Sequence, residues 1–126
     1  MDVTPLVRAG LQLIQSYSDK GFKITGTAHE SAVFVFADET RSWPDVTDLE
    51  SLNNHSFDAL VAQKDKIDVL LIGTGKRIKP LPSALQQYLQ ENGLYPDVMD
   101  TGAACRTFNV LVAEGRRVVA ALLVSV

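Results

Sequence analysis

The run Ile67-Asp68-Val69-Leu70-Leu71-Ile72, ended by Gly73-Thr74-Gly75, constrains this chain more than any other segment. An almost continuous aliphatic stretch of strand length has no polar face to turn toward water, so both of its faces must be covered. A strand covered on both faces lies inside its sheet, and this one is expected to be the central strand. The chain that follows supports this. Pro80 and Pro82 hold it out of helix until Pro82, which is itself suited to a first helical position, and the spacing predicts a helix over 82–92. Leu85, Tyr88 and Leu89 share one face of it, and Gly93 stands where a left-handed terminal residue is wanted. Tyr95–Met99 is short and closely joined to helical segments on both sides, which reads as a second parallel strand.

Asp100 or Thr101 can cap a further helix running to about Glu114, with Ala104, Phe108, Leu111 and Val112 inward and Gly115 as its terminator. A rival arrangement exists, because Thr107–Val112 and Arg117–Val124 are both β-branched and Ala113–Arg116 can turn, giving an antiparallel hairpin. The agreement of caps with the Ala103-Ala104 lead-in favours the helix. Arg117–Val124 is the last strand in either case.

The front half is richer in strands. Phe22–Thr27 and Ser31–Ala37, separated by the polar Ala28-His29-Glu30, read as an N-terminal β-hairpin, with Trp43 folding back onto the sheet. Ser56 ahead of Phe57, Leu60 and Val61 marks a short helix from about 56 to 65. Leu6–Tyr17 is compatible with a helix or an extended edge segment, and periodicity does not choose between them. The expected fold class is therefore α/β, an N-terminal β-hairpin followed by β-α-β-α-β. With 126 residues, the whole of 1–126 is expected to form a single domain around one core.

Composition removes several function classes. Twelve basic and fifteen acidic residues are well mixed, for a net charge of −3, which leaves no field to attract a nucleic acid backbone. A single cysteine, Cys105, excludes an internal disulfide framework and points to the reducing cytoplasm. Met1–Tyr17 contains Asp2, Pro5, Arg8 and Gln12 and lacks the basic and apolar regions of an export signal. The longest apolar stretch, Val118–Val126, is too short to span a bilayer as a helix, so no membrane insertion is expected.

Two strand ends carry the candidate chemistry. Gly73-Thr74-Gly75-Lys76-Arg77 leaves the first parallel strand at the edge where open α/β sheets bind ligands, and it resembles a phosphate loop without matching a Walker or dinucleotide pattern. The competing reading is a turn with solvated cations. Asp100-Thr101-Gly102 opens the next helix on the same edge, where its free amides can face an anion or Asp100 can simply cap them. Gly73, Thr74, Gly75, Lys76, Asp100, Thr101, Gly102 and Arg106 thus form the candidate ligand-binding set, for a small anion. Cys105 has no base tied to it by pattern, since His29 and His55 fall in early polar turns, and it is expected to be a buried structural thiol. No catalytic residue, metal site or cofactor is indicated.

These same segments carry a resemblance. Leu71-Ile72-Gly73-Thr74-Gly75, the helix ending at Gly93, the stretch Met99–Asn109 (MDTGAACRTFN) and Glu114-Gly115-Arg116-Arg117-Val118 resemble the Mth938-domain family. Gly21-Phe22, Ile24-Thr25-Gly26 and Trp43-Pro44 are similar to it as well, and the likeness covers about residues 15 to 125. That family is labelled as of unknown function, and its members include a mitochondrial complex I assembly factor. The resemblance implies a compact three-layer α/β domain with a mixed sheet, and the helix rather than the hairpin at 101–114. It supplies no catalytic residues and suggests a noncatalytic protein-interaction module that assists assembly of respiratory or other membrane complexes, with protein partners. Without the transit extension of the mitochondrial members, a bacterial cytoplasmic setting is expected.

Overall fold

The computed structural model describes residues 10–43 and 46–126, so Leu6–Ala9 and the Pro44-Asp45 corner after Trp43 lie outside the described residues. Among the described residues, eight strands form two sheets. β1 (Ile14–Ser18), β2 (Gly21–Ile24) and β3 (Thr27–His29) make a three-stranded antiparallel meander in that order. The larger sheet contains β4 (Val33–Val35), β5 (Thr40–Ser42), β6 (Val69–Gly73), β7 (Asp97–Met99) and β8 (Val118–Leu122), in the spatial order β5-β4-β8-β6-β7. Pairing is antiparallel for β5-β4 and β4-β8 and parallel for β8-β6 and β6-β7, which makes the sheet mixed.

The back half follows the expected β-α-β-α-β order. β6 leads through α2 (Ser83–Glu91) to the edge strand β7, and α3 (Thr101–Ala113) returns the chain past β6 to β8. The outward and return steps run in opposite directions and use opposite faces of the sheet, as two crossovers of one hand require. Both helices end in the expected way. Gly93 and Gly115 take positive φ of 80° and 79°, letting the next amides, of Leu94 and Arg116, reach back to the carbonyls of Leu89 and Leu111. At its start, Asp100 caps α3 by accepting from the Ala103 amide at 2.8 Å. The hairpin alternative at 107–124 is excluded, because β8 pairs with β4 and β6.

Strict alternation sorts the sheet residues into two cores. Phe34, Leu70, Ile72, Val119 and Ala121 face Trp43, Phe57 and the α2 residues Leu85 and Leu89. Val33, Val35, Leu71, Val118, Ala120 and Leu122 face Ala104, Phe108 and Val112 of α3 and Ile14, Phe22 and Ile24 of the small sheet. Three layers result. Trp43 folds back as expected, 4.5 Å from Phe34 between ring centroids and 5.2 Å from Phe57, with Nε1 donating to the Ser56 carbonyl.

Three expectations are corrected in detail. The segment 22–27 is two strands and a turn, and its partner is not 31–37: β2 pairs with β1 and β3, whereas β4 pairs with β5 and β8 in the other sheet. β8, not β6, is the middle strand, since an apolar run reports that both faces are covered and says nothing of strand order. The helix expected at 56–65 is a broken series, a 3₁₀ turn over Asn54–Phe57, a single α turn α1 (Asp58–Val61) and a 3₁₀ turn over Lys64–Lys66. Its cap is Asn53, which accepts from the His55 amide, while Ser56 accepts the Asn53 amide in return. The undecided stretch before Tyr17 contains strand β1.

Candidate functional site

The carboxyl ends of β6 and β7 meet where the following helices diverge to opposite faces, the position at which open α/β sheets bind ligands. Gly73, Thr74, Gly75 and Thr101 come together here in a seam of hydrogen bonds. The Thr74 amide donates to the Met99 carbonyl at 2.9 Å, extending the β6-β7 ladder by one step. Next, the Gly75 amide donates to Thr101 Oγ1 at 2.8 Å and the Thr101 amide donates to the Gly75 carbonyl at 2.8 Å. Thr101 Oγ1 also donates to the Leu123 carbonyl at 2.7 Å, while the Leu123 amide donates to the Gly73 carbonyl at 3.0 Å. One fully buried hydroxyl therefore ties β6, α3 and the end of β8.

Close packing accompanies the seam. A Cβ on Gly73 would lie 2.9 Å from Thr101 Cα, so the absent side chain is what lets α3 start against β6. Thr74 Oγ1 donates to the Arg77 carbonyl at 2.7 Å and accepts from the Lys79 amide at 3.1 Å, bracing the loop that leaves the seam.

Two of the remaining candidates are engaged as well. Gly102 is buried under the ring of Tyr17, whose hydroxyl would lie 2.5 Å from an added Cβ. Arg106 Nη1 donates to that same hydroxyl at 2.9 Å. Lys76 is exposed and lies outside this network. The amides that an anion would need at Gly75, Thr101 and Ala103 are thus donated to Thr101 Oγ1, the Gly75 carbonyl and Asp100 Oδ1. Chemically, the arrangement closes the edge of the sheet.

Cys105 lies behind this seam, 2% exposed. Burial pushes its thiol up to about 12, against a smaller opposing pull from Arg106, so it carries no thiolate at neutral pH. Among the described residues, no three His, Cys, Asp or Glu side chains gather as a metal-holding group. His29 sits in β3 and His55 in the 3₁₀ turn beside Asp58.

Sequence reasoning missed Tyr17 and Asn109. Asn109 accepts from the Ile14 amide and donates to the Ile14 carbonyl, both at 2.9 Å, clamping β1 to α3 across the chain. No local pattern signals such a pair. A cavity of about 410 Å³ opens at the opposite, amino end of the parallel strands, with Leu11, Phe36, Ile67 and Val119 in its lining beside Lys66 and Arg116.

No described helix is long and apolar enough to cross a membrane. The chain is 33% identical over 124 residues to the protein of Xenopus tropicalis called NADH dehydrogenase [ubiquinone] 1 alpha subcomplex assembly factor 3, a match that covers 97% of this chain and 67% of that protein. Among solved structures, an outer membrane protein from Bartonella henselae superposes with a TM-score of 0.82 at 35% identity, covering 91% of this chain and 96% of that one. The Bordetella pertussis protein described as a Mth938-like domain superposes with a TM-score of 0.81 at 26% identity, over 98% of this chain and 92% of that one. Residues 14–123 match the model of a protein family of unknown function, DUF498/DUF598. This chain, with its two-sided mixed sheet and its Gly75–Thr101 seam, belongs to that family of Mth938-like domains.

Proposed function

We propose that the chain is a noncatalytic assembly module that acts by protein contact, holding a subunit of a respiratory or other membrane complex while that complex is built. The observation that carries this reading is the state of the ligand edge. The Gly75, Thr101 and Ala103 amides that would grip a substrate there are spent on the fold itself, through the reciprocal Gly75–Thr101 bonds and the Asp100 cap. A relative 33% identical to this chain carries an assembly factor's name, which supports the same reading.

The test is affinity capture of the tagged full chain from its native cell, with mass spectrometry read for proteins and small molecules alike. A stoichiometric protein partner, lost when the captured surface is mutated while the fold persists, is the expected result. A stoichiometric small anion held by Gly73–Arg106, with no protein partner, would replace this reading with the ligand-binding one.

A further inference from the structure

The loop between β6 and α2 holds the sequence Lys76-Arg77-Ile78-Lys79, and every one of these side chains is exposed, Ile78 by 65%. The ion pairs among the described residues are Arg41–Glu39, His55–Asp58 and Arg117–Asp68, so none of the three loop cations has a carboxylate partner there. They stand on a chain whose net charge is −3, a local reversal of the overall sign. The loop is also fixed rather than loose. Thr74 Oγ1 binds both the Arg77 carbonyl and the Lys79 amide, and the backbone just before it is locked through Gly75 to Thr101. Three cations without an ion-pair partner among the described residues, around an exposed aliphatic side chain, are therefore presented on a braced loop.

We propose that this loop docks the protein peripherally onto an anionic lipid bilayer, with Lys76, Arg77 and Lys79 against the headgroups and Ile78 entering the interface. A free inorganic anion would draw nothing from Ile78, and the amides of the neighbouring seam are already donated. An acidic peptide calls for a groove, and the cavities beside Phe36 and Arg116, beside Trp43 and His55, and beside Pro82 and Leu85 take none of these four side chains into their linings. A flat anionic surface uses both features of an exposed, basic and apolar loop. Because the rest of the chain is net acidic, the same surface repels the remaining faces and selects the orientation.

The experiment is sedimentation of the full chain with vesicles of phosphatidylcholine alone or of equal parts phosphatidylcholine and phosphatidylglycerol. Binding is expected only with phosphatidylglycerol, weakening as sodium chloride rises. Lys76→Gln/Arg77→Gln/Lys79→Gln should lose affinity by on the order of a hundredfold, about fivefold for each cation. Lys20→Gln/Lys23→Gln/Lys64→Gln, which removes the same charge from other exposed positions, should fall far less. Ile78→Ser should weaken binding by about tenfold. Ile78→Trp should bind and shift its emission to the blue on vesicles, since the native Trp43 is buried and unaffected.

Equal losses in the two triple variants would overturn the proposal by reducing it to net charge. Absence of binding to phosphatidylglycerol vesicles at low salt, in protein shown to be folded, would overturn it outright. So would loop-dependent binding to poly-glutamate without vesicle binding, which would reassign the loop to an acidic protein.

Discussion

Gly75 and Thr101 hold each other in both directions, the Gly75 amide donating to the Thr101 hydroxyl and the Thr101 amide donating to the Gly75 carbonyl, each at 2.8 Å. The hydroxyl itself donates a hydrogen bond to the Leu123 carbonyl. Thr101→Val keeps the shape and removes the oxygen, leaving a buried donor and a buried acceptor without partners. A loss of about 2–4 kcal/mol is expected. Thr101→Ser keeps the hydroxyl and should stay within about 1 kcal/mol of the parent. Urea unfolding with an unchanged slope reads both; a Thr101→Val midpoint equal to that of Thr101→Ser would show that the seam contributes nothing.

Gly102 and Tyr17 give a change of sign. Gly102→Ala improves helix propensity, yet the added Cβ meets the Tyr17 ring, so the single variant should be destabilised by about 1–3 kcal/mol. With Tyr17→Ala already in place, the same substitution should stabilise by about 0.5–1 kcal/mol relative to that background. Thermal unfolding of the four-member cycle checks it, and additive effects would mean that Tyr17 moves aside freely.

Cys105 should react slowly with alkylating agents in the native state, since burial holds the thiol neutral with its pKa raised from 9.0 to about 12. The stability consequence has a definite sign. Below pH 9 the thiol is protonated in both states and pH has no leverage. Between about 9 and 12 the unfolded chain ionises while the folded one does not, so stability falls as pH rises, by at most about 1.4 kcal/mol per unit. That slope should be absent from the Cys105→Ala curve and therefore appear in the difference between the parent and variant curves. A native thiol modified as fast as a free one would show that the burial is not maintained in solution.

Phosphate or sulfate at millimolar concentration should leave the amide resonances of Gly75, Gly102 and Ala103 without saturable shifts. Two of those amides already donate within the protein, and the Asp100 carboxylate at the helix start repels a second negative charge. Saturable movement of all three would show that the seam opens to admit an anion.

The back half was legible because each signal there was local. The 67–72 run, Pro82, Gly93, Asp100 and Gly115 each declare a strand, a start or a stop from their own chemistry. In the front half the reading of 22–27 as one strand failed at one residue. Thr25 adopts φ 45°, a conformation that β-branched residues disfavour, and with Gly26 it makes the tight turn between β2 and β3. Read by propensity, Ile24-Thr25-Gly26-Thr27 continues a strand. What forces the turn lies far off in sequence: the Thr25 amide donates to the Leu13 carbonyl at 2.9 Å, and Thr25 Oγ1 accepts from the Leu13 amide at 2.9 Å. That the candidate residues share one edge of the sheet was legible; the state of their amides was not. Glycines and an acidic cap marked the right edge of the sheet, but whether its amides are free depends on Thr101 and Tyr17 reaching across from other elements.

The place of β8 sets the timing of folding during synthesis. Val118–Leu122 separates β4 from β6, and its two ladders are what join the front strands to the parallel pair. A ribosome delivers these residues after β1 to β7, so the growing chain presents β4 and β6 as two unpaired edges and α3 without most of its floor until Val118 has left the exit tunnel. The nascent protein is therefore bound to wait, sticky and incomplete, and any premature stop before Val118 removes the keystone of the sheet rather than trimming its rim.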